Sequence, residues 1–240
     1  MAVVALTDAY AYVGGFDMTS DLNMLEGQFD SESLTTTTFP KTWSTVVGGL
    51  KTATVRASGF WQADSDQVDP AVFDNFGSSQ PTLFGFDSSE GAAAYFVQAR
   101  HVNYQMFGEV GTVAPFAVQA SSTDKAGAVR GALALTKTSG LSSTGDIGSG
   151  VQLAGGVAAG EYLYAIVNVF AAGTTITIDV ESDDNAGFTS ATSRGTLGPI
   201  TATGGAWLTR VAGPITDDYY RFNITAVTGS FTAAGAIGVG

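Results

Sequence analysis

The chain has 240 residues, no cysteine and one histidine, and its 22 acidic residues against 10 basic ones leave a formal charge of −12. These figures exclude disulfides, thiolate metal sites and cysteine nucleophiles. They also disfavour tight nucleic-acid binding, because phosphate contact needs clustered Lys and Arg, and the basic residues here are scattered from Lys41 to Arg221.

Only 13% of residues are charged while 45% are hydrophobic, so the surface is largely neutral Ser, Thr, Gly and Ala, which is easily buried against a partner. Residues 1–12 lack the basic segment and apolar core of an export signal, giving an expectation of synthesis and assembly in the cytoplasm. From there the chain reads as short runs of Val, Ile, Thr and aromatics broken by Gly, Ser, Asp and Asn, the pattern of strands and turns. Strands are expected over residues 2–12, 34–38, 53–61, 82–86, 93–102, 114–120 and 129–135. The polar stretch 30–51, with Thr35 to Thr38 inside it, reads as an exposed loop or hairpin. One short helix is expected over 70–76, with Asp69 as its cap, Pro70 at its first position and Gly77 ending it.

The Ser- and Gly-rich run KTSGLSSTGDIGSG at 137–150 reads as a linker or exposed loop and suggests a boundary near residue 140, although the strand at 129–135 could equally open the second domain. Beyond it, strands are expected over 162–170, 174–180, 206–211, 219–227 and 231–236. The longest apolar stretch, 162–173, contains Asn168 and falls short of the roughly 20 residues that cross a bilayer, so it reads as a buried strand. The fold class is therefore all-β: two β-sandwich or barrel-like domains, residues 1–140 and 141–240, with one short helix in the first.

Motifs for chemistry are missing, and no catalytic, cofactor-binding or metal-binding residue is assigned. His101 lies in the strand-like run AAAYFVQARHVNYQMF without an HxH or HExxH partner, and reads as structural. No serine sits in GxSxG, and no glycine run matches GxxxxGK[ST] or GxGxxG. The cluster Asp179, Glu181, Asp183 and Asp184, with Asn185, has the oxygen density that Ca²⁺ favours. Its strand-like alternation followed by a turn fits a solvated hairpin end better, and the calcium question stays open. Asp64, Asp66 and Asp69 precede the helix and favour its positive end, while a paired-carboxylate glycosidase would need two acids facing across a cleft. Trp43, Trp61, Trp207, Tyr219 and Tyr220 could stack on sugars, but most read as core. The glycosylation sequon at Asn223 lies in a strand of an unexported chain and is discounted.

The segment GGFDMTSDLNMLEGQFDSESLTTTTFP (14–40), followed by WSTVVGGLKTATVRASGFW (43–61), resembles the N-terminal region of the major tail tube proteins of long-tailed bacteriophages, where a GG-D-TSDLN segment precedes a long loop. The strand at 52–61, the helical segment 69–77 and GEVGTVAPF at 108–116 correspond in order. YLYAIVNVF, TITIDVESDDNAGF, GGAWLTRVAGPITDDYYRFNIT and FTAAGAIGVG are similar to β-sandwich domains of phage tail and related virion proteins. The resemblance implies a non-enzymatic virion structural protein of the viral tail, made in the host cytoplasm, without cofactor and without membrane insertion. It implies a homo-oligomer whose hexameric rings stack into a tube, other tail proteins at the tube ends, and DNA passing through without sticking. The first domain would form the ring, with stretch 30–51 touching the next one, and the second would sit outside. A glycan-binding or decorating β-sandwich of a virion is the alternative reading, and an undetected hydrolase a third.

Overall fold

A computed structural model describes residues 7–38, 42–123 and 127–240. Among these residues, sixteen strands form a twelve-stranded and a four-stranded sheet, joined by one short α-helix and one 3-10 turn. The expected all-β class with two sheets and one helix is what forms, but neither sheet closes into a barrel among the described residues. The expected strand at 2–12 appears as β1 (Tyr10–Val13), and residues 2–6 of that expectation lie outside the described residues.

After the two-residue β2 (Phe16–Asp17) come β3 (Leu22–Thr35) and β4 (Val46–Phe60), an antiparallel ribbon running from Leu22↔Gly59 out to Thr35↔Val46. Residues 30–51 are thus mostly ladder. Sequence periodicity missed β3 because LNMLEGQFDSESLT has one covered face only near its start; further out the ribbon leaves the core and both faces meet water. The ribbon continues past the strands, where the Thr36 amide donates to the Thr45 carbonyl and the Thr45 amide to Thr37 Oγ1.

Helix α1 (Val68–Phe73) starts two residues before the expected position, and Asp69 lies inside it rather than capping it. Its carboxylate is occupied elsewhere: Oδ1 accepts from Trp61 Nε1 at 3.0 Å and from the Tyr104 hydroxyl at 2.7 Å. Burial, and then this carboxylate, push the Tyr104 phenol well above its ordinary range. Asp69→Ala would leave two partly buried donors unpaired, a loss of about 1–3 kcal/mol, with a red-shifted tryptophan emission. An unchanged urea midpoint would show that water replaces the carboxylate.

The first half continues with β5 (Ser79–Gly85), β6 (Ala93–Met106) and β7 (Pro115–Ser122). β6 pairs β5 on one side; on the other its start pairs β8 (Val129–Leu141) and its end pairs β7, which in turn pairs β4. The expected linker at 137–150 is a correction. β8 runs to Leu141 and β9 (Gly145–Gln152) begins four residues later, with Thr138, Ser139 and Leu141 paired to Ala233, Thr232 and Phe231. Backbone pairing holds this Ser/Gly-rich stretch; only Leu141, Ile147 and Val151 bury side chains there, too few for a periodic signal.

The second half adds β10 (Tyr162–Ala171), β11 (Thr175–Asp183), β12 (Thr192–Ile200), β13 (Gly204–Trp207), β14 (Val211–Ala212), β15 (Tyr219–Thr228) and β16 (Phe231–Val239). The order β12-β11-β15-β9 forms the small sheet, and β13-β10-β16-β8 extends the large one into β6. On one face of β10 and β16, Leu163, Ala165, Val167, Ala233 and Ile237 pack against Ile176, Ile178, Val180, Phe222 and Ile224 of the small sheet. On the other, Tyr164, Ile166, Ala234 and Ala236 pack with Tyr10, Tyr12, Leu83, Phe96 and Leu133. A strand covered on both sides has no reason to alternate, which is why 162–171 reads as an apolar run interrupted only by Asn168. Gly15, at φ +87°, closes the junction: the Val169 carbonyl and the Gly204 amide lie where any Cβ would project.

Candidate assembly surface

The residues that could have carried chemistry are dispersed and engaged. His101 is buried on β6, and its Nδ1 has no hydrogen-bond partner. It borders a cavity of about 20 Å³ whose other walls include Met18, Val55, Thr82 and Val118, with no charged side chain among them. Burial lowers its pKa from the ordinary 6.5, so the folded chain keeps it neutral while the unfolded chain takes up a proton near 6.5. Its contribution is fully present above pH 6.5 and is lost as pH falls below that value. Urea midpoints should therefore drop between pH 7.5 and 5.5, by no more than about 1.4 kcal/mol per pH unit for one proton. His101→Gln should flatten the profile, and an equally steep profile in that variant would assign the effect to carboxylates.

The acids of 179–185 are spent on separate neighbours. Asp179 accepts from Ser193 and Thr196, and Glu181 from Arg221 and Asn223. Asp183 accepts the backbone N–H groups of Ser190 and Asn185; the Ser190 bond leads in holding its carboxyl below the usual range, and Asp183 in turn raises Asp184. Nearby, Ser182 and Arg194 hydrogen-bond Asp217 and hold its carboxyl low as well. Among the described residues no group of three or more His, Cys, Asp or Glu is placed to hold a metal. Nor are the five candidate sugar-stacking aromatics brought together: Tyr220 is fully buried, Trp61, Trp207 and Tyr219 are half-buried, and Trp43 alone stands free at 85% exposure.

The surface itself is uneven. Every large apolar side chain that stands exposed among the described residues lies between Met24 and Val113, and none lies in the second half. One group sits on the outer part of the ribbon: Leu34, Trp43, Val46, Val47 and Leu50. A second sits at its other end, where Phe60 adjoins the β6–β7 loop carrying Phe107, Val110 and Val113. Phe107 holds φ at +72°, a conformation that is strained for a bulky residue, and its ring lies 5.5 Å from that of Trp61, tilted by 57°. Exposed apolar patches of this kind mark interaction surfaces. Sequence reading missed these residues because isolated apolar residues in Gly-rich loops have no periodicity; the pair of valines in GEVGTV was the available signal.

The ribbon also has a free edge, since β3 pairs β4 and no other strand among the described residues. One face of β3, β4 and β7 is polar, with Glu26, Gln28 and Asp30 opposite Arg56, Thr54 and Thr52. Arg56 reaches across three strands, donating to Glu26 at 3.3 Å, Gln28 at 2.8 Å and Gln119 at 3.4 Å. No helix is long and apolar enough to cross a membrane among the described residues.

No protein-family model and no curated protein matches the chain. Among solved structures it is similar to a chain in the virion of a native gene transfer agent particle, at 15% identity over 50% of this chain and 95% of that one, with a TM-score of 0.42. It is similar to a chain in the tail of an empty gene transfer agent particle of C6 symmetry, at 16% identity over 43% and 78%, TM-score 0.36. The crystal structure of SPP1 Dit, titled a hub adsorption apparatus of phages infecting Gram-positive hosts, aligns at 9% identity over 96% and 99%, TM-score 0.40. Likeness at this distance assigns neither family nor role.

Proposed function

We propose that the chain is a structural subunit of a phage tail, assembling through its first half into hexameric rings that stack into a tube for genome passage. The observation that carries this reading is the confinement, among the described residues, of exposed large apolar side chains to residues 24–113, with none in the second half. A surface divided in this way suits a chain whose residues 1–140 are buried among identical neighbours while 141–240 face solvent outside the ring. The edge of β3 left free among the described residues supports the same reading, because unpaired N–H and C=O groups are a liability in a monomer and a ready joint between copies.

The polar face of the ribbon is the natural inner wall. It is near neutral rather than strongly acidic: Glu26 and Asp30 stand against Arg56, which is drawn onto the sheet by its three acceptors. Hydroxyl, amide and paired charge leave passing phosphates few free cations to hold. The experiment is negative-stain microscopy of the purified chain with sedimentation across a concentration series. Stacked rings of constant diameter are the expected result. Discrete particles that bind glycans would favour a decorating β-sandwich instead.

A further inference from the structure

Polar atoms without partners gather at one place in the core. Among the described residues six buried side-chain polar atoms make no hydrogen bond, and four of them belong to Gln98, Asn168 and Trp207. Gln98 and Asn168 are buried as whole residues, Asn168 completely. Buried groups of this kind are nearly always paired, with protein or with ordered water. Four of them on three different strands call for a common explanation.

The ladders bring the three together. Gln98 follows Phe96 by two residues on β6 and shares its face, which packs against β10. Asn168 follows Ile166 by two on β10, and Trp207 lies opposite Ile166, so both enter the same layer from the other side. The two sides touch beside them: Gly205, opposite Asn168, lies so close to Pro81, opposite Gln98, that a Cβ on it would overlap the proline ring. The Trp207 ring centre is 5.4 Å from that of Phe96. Gln98 spends its Nε2 on Ser79 Oγ at 2.9 Å, which leaves Oε1 over, and Asn168 spends neither end of its amide. Of the remaining unpaired atoms, Tyr10 Oη sits over Gly85, further along β5, and His101 Nδ1 belongs to a residue lining the small cavity beside Met18.

We infer that Gln98, Asn168 and Trp207 hold ordered water between the first-half layer and β10, as one molecule or a hydrogen-bonded pair. The three supply two donor groups, Trp207 Nε1 and Asn168 Nδ2, and two acceptors, Gln98 Oε1 and Asn168 Oδ1. None carries a charge. An ion would meet no counter-charge in this set, and an apolar ligand would leave all four atoms unpaired. Water both donates and accepts, and makes about three hydrogen bonds when buried. Turning the Asn168 amide over exchanges its two ends without altering the count. Access is short: a groove of about 620 Å³ beside α1 has Gly14, Gly15 and Thr203 on its wall. Gly14 donates to the Pro81 carbonyl, and Gly15 is crowded by Val169 and Gly204, the neighbours of Asn168 and Gly205. The site lies at the joint of the two halves and fixes how they meet, whatever assembly the chain enters.

An experimental map of the full chain that resolves ordered solvent should show a peak about 2.7–3.2 Å from Trp207 Nε1 and from the Asn168 amide. Asn168→Leu, close in volume and apolar, should remove that peak. It should also lower the urea midpoint by about 0.5 M or more, because Trp207 Nε1 and Gln98 Oε1 are then stranded. A dry joint has the opposite outcome, since the substitution would delete two unpaired atoms and the midpoint would hold or rise. The wild-type map decides even where the variant fails to fold, and neither measurement depends on ring formation. A wild-type map without the peak, a direct contact between Asn168 and Gln98 in its place, or an Asn168→Leu midpoint at or above wild type overturns the site.

Discussion

Replacing residues 32–50 with an Asn-Gly turn should leave a folded chain that no longer associates. Ser31 and Lys51 are directly opposite in the ladder, so a two-residue turn can close on them without shifting register. Nothing beyond the excised stretch loses a strand partner, because β4 meets β7 only from Thr54 inward and the buried residues of the ribbon begin at Ala53. The unfolding free energy should change by about 1 kcal/mol or less, as for other exposed segments outside the core, which is a few degrees in midpoint at this size. Association should fall below detection, since Leu34, Trp43, Val46, Val47 and Leu50 leave together. A variant that loses cooperative unfolding would make the ribbon part of the core; one that still assembles would move the interface elsewhere.

Truncation after residue 140 should have the opposite outcome, a fragment without a stable fold. Removing β10 and β16 strips Tyr164, Ile166, Ala234 and Ala236 from one face of the shared layer and exposes Leu83, Phe96 and Leu133, each fully buried in the whole chain. β8 also loses β16 along most of its length. Burial of one such side chain contributes about 1.5–3 kcal/mol, so uncovering this group with Leu135 and Val129 removes roughly 8–15 kcal/mol, the size of an ordinary domain's entire stability. The fragment should bind a hydrophobic dye and unfold without a sharp transition. In the whole chain, Ile166→Ala should cost about 2–5 kcal/mol. A truncated chain with native-like cooperativity would show that the first half closes its own core. Failure to fold would still permit residues 1–140 to make the ring contacts and 141–240 to face outward, as a division of surfaces and not of folding units.

These two outcomes follow from features that were unequally legible in the sequence. Strands with a strong apolar signature, such as β6, β10 and β15, announce themselves through Val, Ile and aromatic residues. β9 (GDIGSGVQ) and β12 (TSRGTLGPI) carry little such signature and are strands because β15 and β11 lie beside them. The ribbon failed for a related reason: beyond Ala53 its order comes from the ladder alone, with no burial for periodicity to report. His101 was legible as structural from its isolation, but its burial beside the small apolar cavity required the fold. Asp69 shows the limit of local rules, since a helix-cap reading gave way to two longer-range donors on β6 and just after β4.

The position of β16 constrains the timing of biosynthesis. It lies between β10 and β8 in the large sheet, although it is made after both. While the chain is being translated, β8 emerges with one edge open, and its partner follows on the order of 5–20 s later at about 5–20 residues per second. During that interval Phe96 and Leu133 have no cover from β16, and an open edge beside them invites mispairing with other nascent chains on the same messenger. The first half is therefore expected to depend on chaperones on the ribosome until β16 inserts, and polysome-bound intermediates of this protein should be protease-sensitive throughout residues 79–141.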